Sequence, residues 1–401
     1  ILKERKEYLE NIRPTIKKYD EILLATDDDR EGEAIAWHIC KVFKLSIKTS
    51  KRLIFNSITK DAILNAIRNP QKIDMNIVYA QRTRQILDQM LGFTITPILW
   101  KHISHTAKLS AGRCQTPALR LIYDRYLYLK KHEKQISYAV HGRFINNYVF
   151  VYDLMFTDKD KLKQFLMNSK DFNHSIMVGK EKDGKYSSPK PLTTSTLQQK
   201  ACNELHMSPK QTMRSAQILY EEGLITYMRT DSTKYSKEFI LNTNSYIIKN
   251  YGIDYLKECY KSLYESYNKS SRNITLNIDL DNTDNFDKKT TLTQGAHEAI
   301  RPTKIKKTKL EINSKIKSNE LRLYNLIYKH ALESCMNDCF IKKINIRINS
   351  PIKNYFYKYT FEKIVSPGWK TVKGYNNDNT DYTNISNIKK KIHVDYNMIY
   401  S

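Results

Sequence analysis

No apolar run in this 401-residue chain approaches the roughly 20 residues that a membrane-spanning helix needs, and the opening stretch, ILKERKEYLE, lacks the apolar core of a secretory signal. The expectation is a soluble, intracellular protein. Cysteine is sparse: six are scattered along the chain, and only Cys335 and Cys339 lie close together, at a helical i, i+4 spacing. One pair without a second pair or nearby histidines is a poor zinc signal, so the six read as buried thiols and no zinc is expected in this chain. No internal repeat is present. Acidic residues are the short side of the charge balance, 42 against 67 Lys and Arg, which gives a net charge of +25 and a pI near 9.5. Such a field favours a polyanion, nucleic acid first, with a ribosome-associated or membrane-surface protein as other readings. What is plentiful is tyrosine, 28 residues, beside 13 Phe; these are rings on which bases can stack, although most belong in a core. With 40 % hydrophobic content the chain can bury a substantial core, and its length allows two to four domains.

EILLAT (21–26) is an apolar run of strand length, and EAIAWHICKVFK after it repeats apolar residues at helical spacing. A strand, an acidic loop and an amphipathic helix suggest an α/β unit with a mostly parallel sheet. A long helical segment follows and is expected to end near Gly92, and another opens after SAGRCQTP with Pro117 in its first turn. Residues 136–180 alternate apolar and polar as antiparallel strands do, and GKEKDGKYSSPKP reads as a turn-rich linker. Two capped helices come next, one opened by Ser195 with Gln198, the other by Ser208 with Pro209 and Gln211 and stopped at Gly223. LITYM is read as a strand, Ser236 as the start of a helix, and residues 268–294 as a mobile polar insertion. A last helix, NELRLYNLIYKHALESCM, leads into the strands IKKINIRINS and YFYKYTFEKIV and a polar tail.

Three constellations could carry chemistry. In TDDDREGEA, Asp27, Asp29 and Glu31 are two apart beyond the end of an apolar strand, so in extended backbone their side chains point the same way. Such hard oxygen donors suit Mg²⁺ or Mn²⁺; the alternative is a solvated acidic loop that caps the next helix. In LITYMRTDST, Tyr227 and Arg229 share one face of an extended segment. A free tyrosine is only about 0.1 % phenolate at neutral pH, so a nucleophilic one needs a neighbouring cation or base, and Arg229 is the candidate. An isolated Y-x-R is more often an ordinary half-buried tyrosine beside a surface cation. In QGAHEAIRPT, His297, Glu298 and Arg301 flank a small-residue turn that could bring a donor to a phosphate, or His297 could be a structural hydrogen-bonder.

Taken in order, ILLATDDDREGEAIAWHI, LSAGRCQTPALRLI, LTTSTLQQKA, LITYMRTDST and GAHEAIRPT resemble the type IA DNA topoisomerases of the bacterial topoisomerase I branch. The resemblance implies an α/β plus mixed α+β multidomain chain: a partial Toprim domain (1–55), a helical DNA-groove domain (56–128), a strand-rich arch segment (129–186), a gate domain with the catalytic tyrosine (187–337), and a returning arch segment with a polar tail (338–401), in a toroidal core. It implies Tyr227 as the nucleophile that forms a 5′-phosphotyrosyl bond, with Arg229 and His297 holding the phosphate. Asp27, Asp29 and Glu31 match the family's metal motif, and Arg113, Gln115, Arg84 and Asp88 its single-strand groove. It further implies Mg²⁺, with Mn²⁺ as a substitute, no ATP, and a monomer acting on single-stranded or negatively supercoiled DNA. From the residues alone, Arg113 lies in a Gly-containing turn before a helix, where N–H groups favour phosphate, while Arg84 and Asp88 could be a surface i, i+4 pair.

Two departures stand out. The family's Toprim domain begins with a strand followed by a glutamate and a lysine, and this sequence starts after that point; the family also continues beyond SPGWKTV. A chain truncated at both ends is expected, which leaves open a non-catalytic single-strand binder, or a Toprim-type primase or nuclease.

Overall fold

The computed structural model describes residues 3–105, 109–132, 136–144, 148–257, 298–308 and 310–374. The expected insertion at 268–294, Cys259, His297 and the tail beyond 374 lie outside the described residues. The chain divides into two compact units: Ile1–Asp124, Lys190–Asn250 and Cys259–Ser334 in the first, Arg125–Pro189, Tyr251–Glu258 and Cys335–Ser401 in the second. No described helix is long and apolar enough to cross a membrane.

The first unit opens with helix α1 (Lys3–Lys17), strand β1 (Leu23–Leu24), helix α2 (Arg30–Phe43), strand β2 (Lys51–Arg52), helix α3 (Lys60–Arg68) and strand β3 (Gln71–Lys72). Strands β1 and β2 pair in parallel and β3 joins antiparallel. Leu24, Ala36, Cys40, Ile73 and Val78 form the core between this small sheet and the helices on it. Helix α2 starts where the extended chain is cut off by Asp29, whose carboxylate accepts from the Gly32 N–H at 2.7 Å. Gly32 matters for a steric reason: a Cβ there would lie 2.0 Å from the Asp27 carbonyl oxygen.

Helix α4 (Met75–His102) does not end near Gly92 but runs on through Pro97. Its last turns hold the following loop, since Trp100 Nε1 donates to the Leu109 carbonyl at 2.8 Å and Ala111 N–H to Thr96 Oγ1 at 3.1 Å. Those contacts offset the one hydrogen bond a helical proline forfeits. Helix α5 (Gln115–Lys131) carries Pro117 in its first turn, as expected.

Helices α7 (Thr194–Leu205), α8 (Pro209–Glu221), α9 (Lys237–Tyr251) and α10 (Ser318–Cys335) complete the first unit apart from Tyr251 at the end of α9 and Cys335 at the end of α10. Ser208 and Gln211 form the capping box read from the sequence. The cap of α7 is Thr193 rather than Ser195, closed by Thr196. LITYM is not a strand: only Ile225 makes a bridge, to Pro302. Of the cysteines, Cys40, Cys335 and Cys339 are buried, whereas Cys114 and Cys202 are exposed, against expectation.

The second unit is an antiparallel sheet of β4 (His141–Phe144), β5 (Tyr148–Tyr152), β9 (Phe356–Ser366), β8 (Cys339–Asn349) and β6 (Ile176–Val178), with β7 (Lys182–Tyr186) also on β8. The segment read as a linker is thus partly a strand, because β8 presents a paired edge to Lys182–Tyr186. Residues 136–180 are not all strand: Asp158 caps helix α6 (Lys159–Lys170), whose Leu162, Phe165 and Leu166 seal the inner face formed by Phe150, Tyr152, Ile346, Ile348 and Tyr357. On the other face Cys339, Ile341 and Ile364 pack with Trp369 at one end, while His141, Arg143, Val151 and Arg347 are exposed.

Because the Cβ added by Gly32→Ala meets backbone and not a movable side chain, this substitution should lower stability by about 1–3 kcal/mol, read as a shift of the urea midpoint.

Candidate active site

All site residues discussed below belong to the first unit. Tyr227 and Asp29 are 198 residues apart in sequence, yet the phenol donates to Asp29 Oδ2 at 2.5 Å. Arg229 Nη1 reaches the same oxygen at 3.3 Å. Tyr227 and Arg229 are therefore on one side of their segment as the two-residue spacing suggests, although the backbone is a bend and not a strand. Tyr227 is buried, and its ring meets that of Tyr220 edge-on at 5.2 Å.

The loop is gripped on every side. Tyr227 N–H donates to the Asn56 carbonyl at 2.9 Å, Thr226 N–H to Arg301 O at 2.9 Å, and Thr226 Oγ1 to Ala299 O at 3.0 Å. The hydroxyl of Thr194, at the start of α7, donates to Met228 O at 2.7 Å. Glu298 and Arg301 form a largely buried ion pair at 2.6 Å, and the Arg301 guanidinium stacks 4.4 Å from the Phe239 ring. The QGAHEAIRPT segment thus supplies internal support from Glu298 and Arg301.

The acidic trio does not converge. Extended backbone ends at Asp29, and Glu31 already lies in the first turn of α2, so the two-residue alternation gives way to helical spacing. Glu31 turns instead to Gln81 Nε2 at 2.8 Å and lies 3.9 Å from Arg84. Among the described residues no three His, Cys, Asp or Glu side chains form a metal-holding group. The aspartate pair nonetheless fits a hard divalent cation. Burial, and after it the negative charge of Asp29, pushes the Asp27 carboxyl above its ordinary value, a penalty that a cation would relieve. Burial alone would also raise Asp29, but hydrogen bonds from Tyr227 and Gly32 and the charge of Arg229 outweigh it and hold that carboxyl low.

For Tyr227 burial is again the largest effect, followed by the hydrogen bond to Asp29 and the charges of Asp29 and Asp27, and together they push the phenol well above its usual value; Arg229 opposes this as the smallest of the five influences. The guanidinium is 56 % exposed and shares its charge with Asp29, so it does not activate the phenol in this arrangement. The hydroxyl is kept protonated and aimed.

Arg229, Arg84, Asp29 and Glu31 line a cleft of about 660 Å³ together with the hydroxyls of Thr193 and Ser195. A second cleft of about 740 Å³ also includes Glu31 and Arg84 and continues along α4 past Asp88 to Phe93, Trp100 and Ser110. Arg84 and Asp88 are not paired with one another. Asp88 binds Arg113 at 2.8 Å, and Gln115 Nε2 donates to Ser110 O at 3.0 Å, so both ends of the SAGR turn are fastened here. Sequence reasoning missed Arg52 and Glu33, which form a buried pair at 2.5 Å. Arg52 also donates to Asp27 O at 2.6 Å, and Glu33 accepts from Asp74 N–H at 2.7 Å, so the pair fixes the acidic loop and the start of α4. The one signal was a lone arginine ahead of the apolar LIF.

A family model for DNA topoisomerase matches residues 72–399 and a Toprim domain model matches residues 1–58; the chain belongs to the DNA topoisomerase family, in its type IA class. It is 36 % identical over 391 residues to DNA topoisomerase 1 of Campylobacter jejuni, covering 91 % of this chain and 51 % of that protein. To DNA topoisomerase 1 of Rickettsia felis it is 35 % identical over 392 residues, covering 91 % and 47 %. Full-length topoisomerase I from Thermotoga maritima matches in structure with a TM-score of 0.72 at 31 % identity, over 94 % of this chain and 58 % of that one. The chain spans about half the length of the curated relatives it matches.

Two outcomes follow from the site's electrostatics. Glu33→Gln should cost about 3–5 kcal/mol by leaving Arg52 buried and unpaired, and Glu33→Leu combined with Arg52→Met should lose less, both read by urea unfolding. An unfolded phenol ionises near pH 10 and the folded Tyr227 higher, so its contribution to stability is present below about pH 10 and falls as pH rises toward the folded value. Accordingly Tyr227→Phe should leave the tyrosinate absorbance gained up to about pH 11 unchanged, and loss of one tyrosine's signal would show an ordinary phenol.

Proposed function

We propose that this chain carries the strand-cutting centre of an enzyme that breaks and reseals one DNA strand. The observation that carries the reading is the meeting of Tyr227, Arg229 and Asp29 beside an open cleft. Tyr227 Oη attacks a backbone phosphorus; an O–P bond forms, the bond from phosphorus to the 3′-oxygen breaks, the phenol proton leaves, and the 3′-oxygen takes up a proton. The 5′-phosphotyrosyl link conserves the energy of the bond broken, so the reverse attack by the 3′-hydroxyl reseals the strand without ATP.

Before attack the phenol must leave Asp29, since a carboxylate occupies the place the phosphate needs. Arg229 then passes from carboxylate to phosphate and offsets charge on the non-bridging oxygens. Asp27 and Asp29 would hold a divalent cation, Mg²⁺ or Mn²⁺, with Glu31 joining once it releases Gln81. Held there, such an ion would supply positive charge that eases approach to the phosphate. Arg84, Arg113 and Gln115 guide the single strand along the α4 cleft, with Asp88 orienting Arg113. His297 is assigned to the scissile phosphate from its motif alone. Residues 1–55 are taken as the Toprim part, 56–128 as the groove, 187–337 as the gate, and 129–186 with 338–401 as the arch. In the whole protein the cycle relaxes negatively supercoiled DNA inside the cell.

The test is a denaturing gel of the full-length protein with an end-labelled oligonucleotide. With a 3′-end label the wild type should trap an adduct on the 5′-phosphate of the fragment downstream of the break, and Tyr227→Phe should trap none; an adduct surviving in that variant overturns the assignment. Arg229→Ala should slow single-turnover cleavage about 10²- to 10³-fold, roughly 2.7–4 kcal/mol.

A further inference from the structure

The sheet of the second unit has one packed face; its other face is covered at one end by the cluster of Cys339, Ile341 and Ile364 with Trp369, and the rest of it is open and basic. Side chains alternate along a strand, so residues directly opposite in register share a face. The register sets His141, Val151, Lys358, Arg347 and Met177 in one row across five strands. On the same face Arg143 is two residues from His141, and Lys343 lies opposite both Glu362 and Lys182. Four gaps of about 4.8 Å make the row about 19 Å wide.

Acid on this face is already engaged. Glu362 binds Lys343 at 2.8 Å and accepts from the Tyr186 hydroxyl at 2.6 Å, and Asp153 binds Lys358 at 2.6 Å. Among the described residues Arg143, Arg347 and Lys182 form no ion pair with a carboxylate, and all three are exposed. Cations lie against the rings here: Lys370 is 3.9 Å and Lys343 5.1 Å from the Tyr186 ring, and Arg347 5.9 Å from that of Phe356. What the face chiefly offers is spaced positive charge. A width of about 19 Å exceeds the roughly 12 Å major groove, enough to reach the phosphates on both its edges.

We propose that this open face, centred on Arg143, Lys358 and Arg347, binds the phosphate backbone of duplex DNA, a contact separate from the strand taken by Tyr227. It rests on charge and register in the second unit and does not require the chemistry assigned to the first. Such contacts position a duplex without reading its sequence, and each releases counterions, so they appear in the salt dependence of binding.

The experiment titrates the full chain with a short fluorescein-labelled duplex over a range of salt. Combining Arg143→Gln, Arg347→Gln and Lys358→Gln should make the log–log salt slope shallower by about 2 to 3, at about 0.9 per phosphate contact. An unchanged slope overturns the proposal. So does an equal fall when Lys159, Lys161 and Lys163 on α6 are changed to Gln, since net charge alone would then explain it. One strand of the duplex, titrated alone, should lose less slope than the duplex; a larger loss overturns the commitment to duplex. Should the triple variant fail to fold, the unaltered chain decides: saturating duplex should protect Lys182, Lys343 and Lys358 from acetylation several-fold over Lys163, by mass spectrometry, and equal labelling overturns the proposal.

Discussion

The Asp29 carboxylate does two jobs with its two oxygens. Oδ1 accepts from Gly32 N–H and starts α2; Oδ2 accepts from Tyr227 and meets Arg229. Move that carboxylate and the helix loses its cap, the phenol loses a short anchor, and the guanidinium loses its contact. The Arg52–Glu33 pair explains why it stays put, because Arg52 pins the carbonyl of Asp27 just upstream. Buried charge of this sort adds little net stability, but it strongly penalises other arrangements of the loop.

That anchoring sets the chemistry at rest. A tyrosine poised to attack would be expected to sit near cations, yet here its surroundings favour the neutral form, with burial the main cause and the aspartates next. The phenol therefore stays neutral and hydrogen-bonded to Asp29 until charge in the cleft changes. Arg229, half exposed and in contact with Asp29, is the group best placed to respond to that change.

Local signals were legible and non-local ones were not. The Ser208 capping box and the Gly-free run of α10 needed only neighbouring residues, and the alternation of β8 and β9 was clear over eleven residues each. The cap of α7 was misplaced because Thr193, Ser195 and Thr196 all offer hydroxyls, and only the loop from Met228 to Thr230, distant in sequence, selects the frame. Glu31 was grouped with the aspartates because a two-residue spacing was carried across the point where strand turns to helix. Tyr227 and Arg229 were recognisable from five ordered motifs, but their shared contact with Asp29 depends on chain 198 residues away. The pairing of Asp88 with Arg113 was likewise hidden, since an i, i+4 neighbour looked the simpler partner.

Gly223 and Tyr227 bear on one short stretch of backbone. A Cβ at Gly223 would sit 2.3 Å from the Ile58 carbonyl, and the Tyr227 amide bonds to the carbonyl of Asn56. Residues 56–58 thus act as a latch plate that meets the Gly223–Tyr227 stretch through main-chain carbonyls. Side-chain evolution can retune affinity around the cleft without loosening this seam, and any departure of the tyrosine from its berth begins by peeling one peptide group off another.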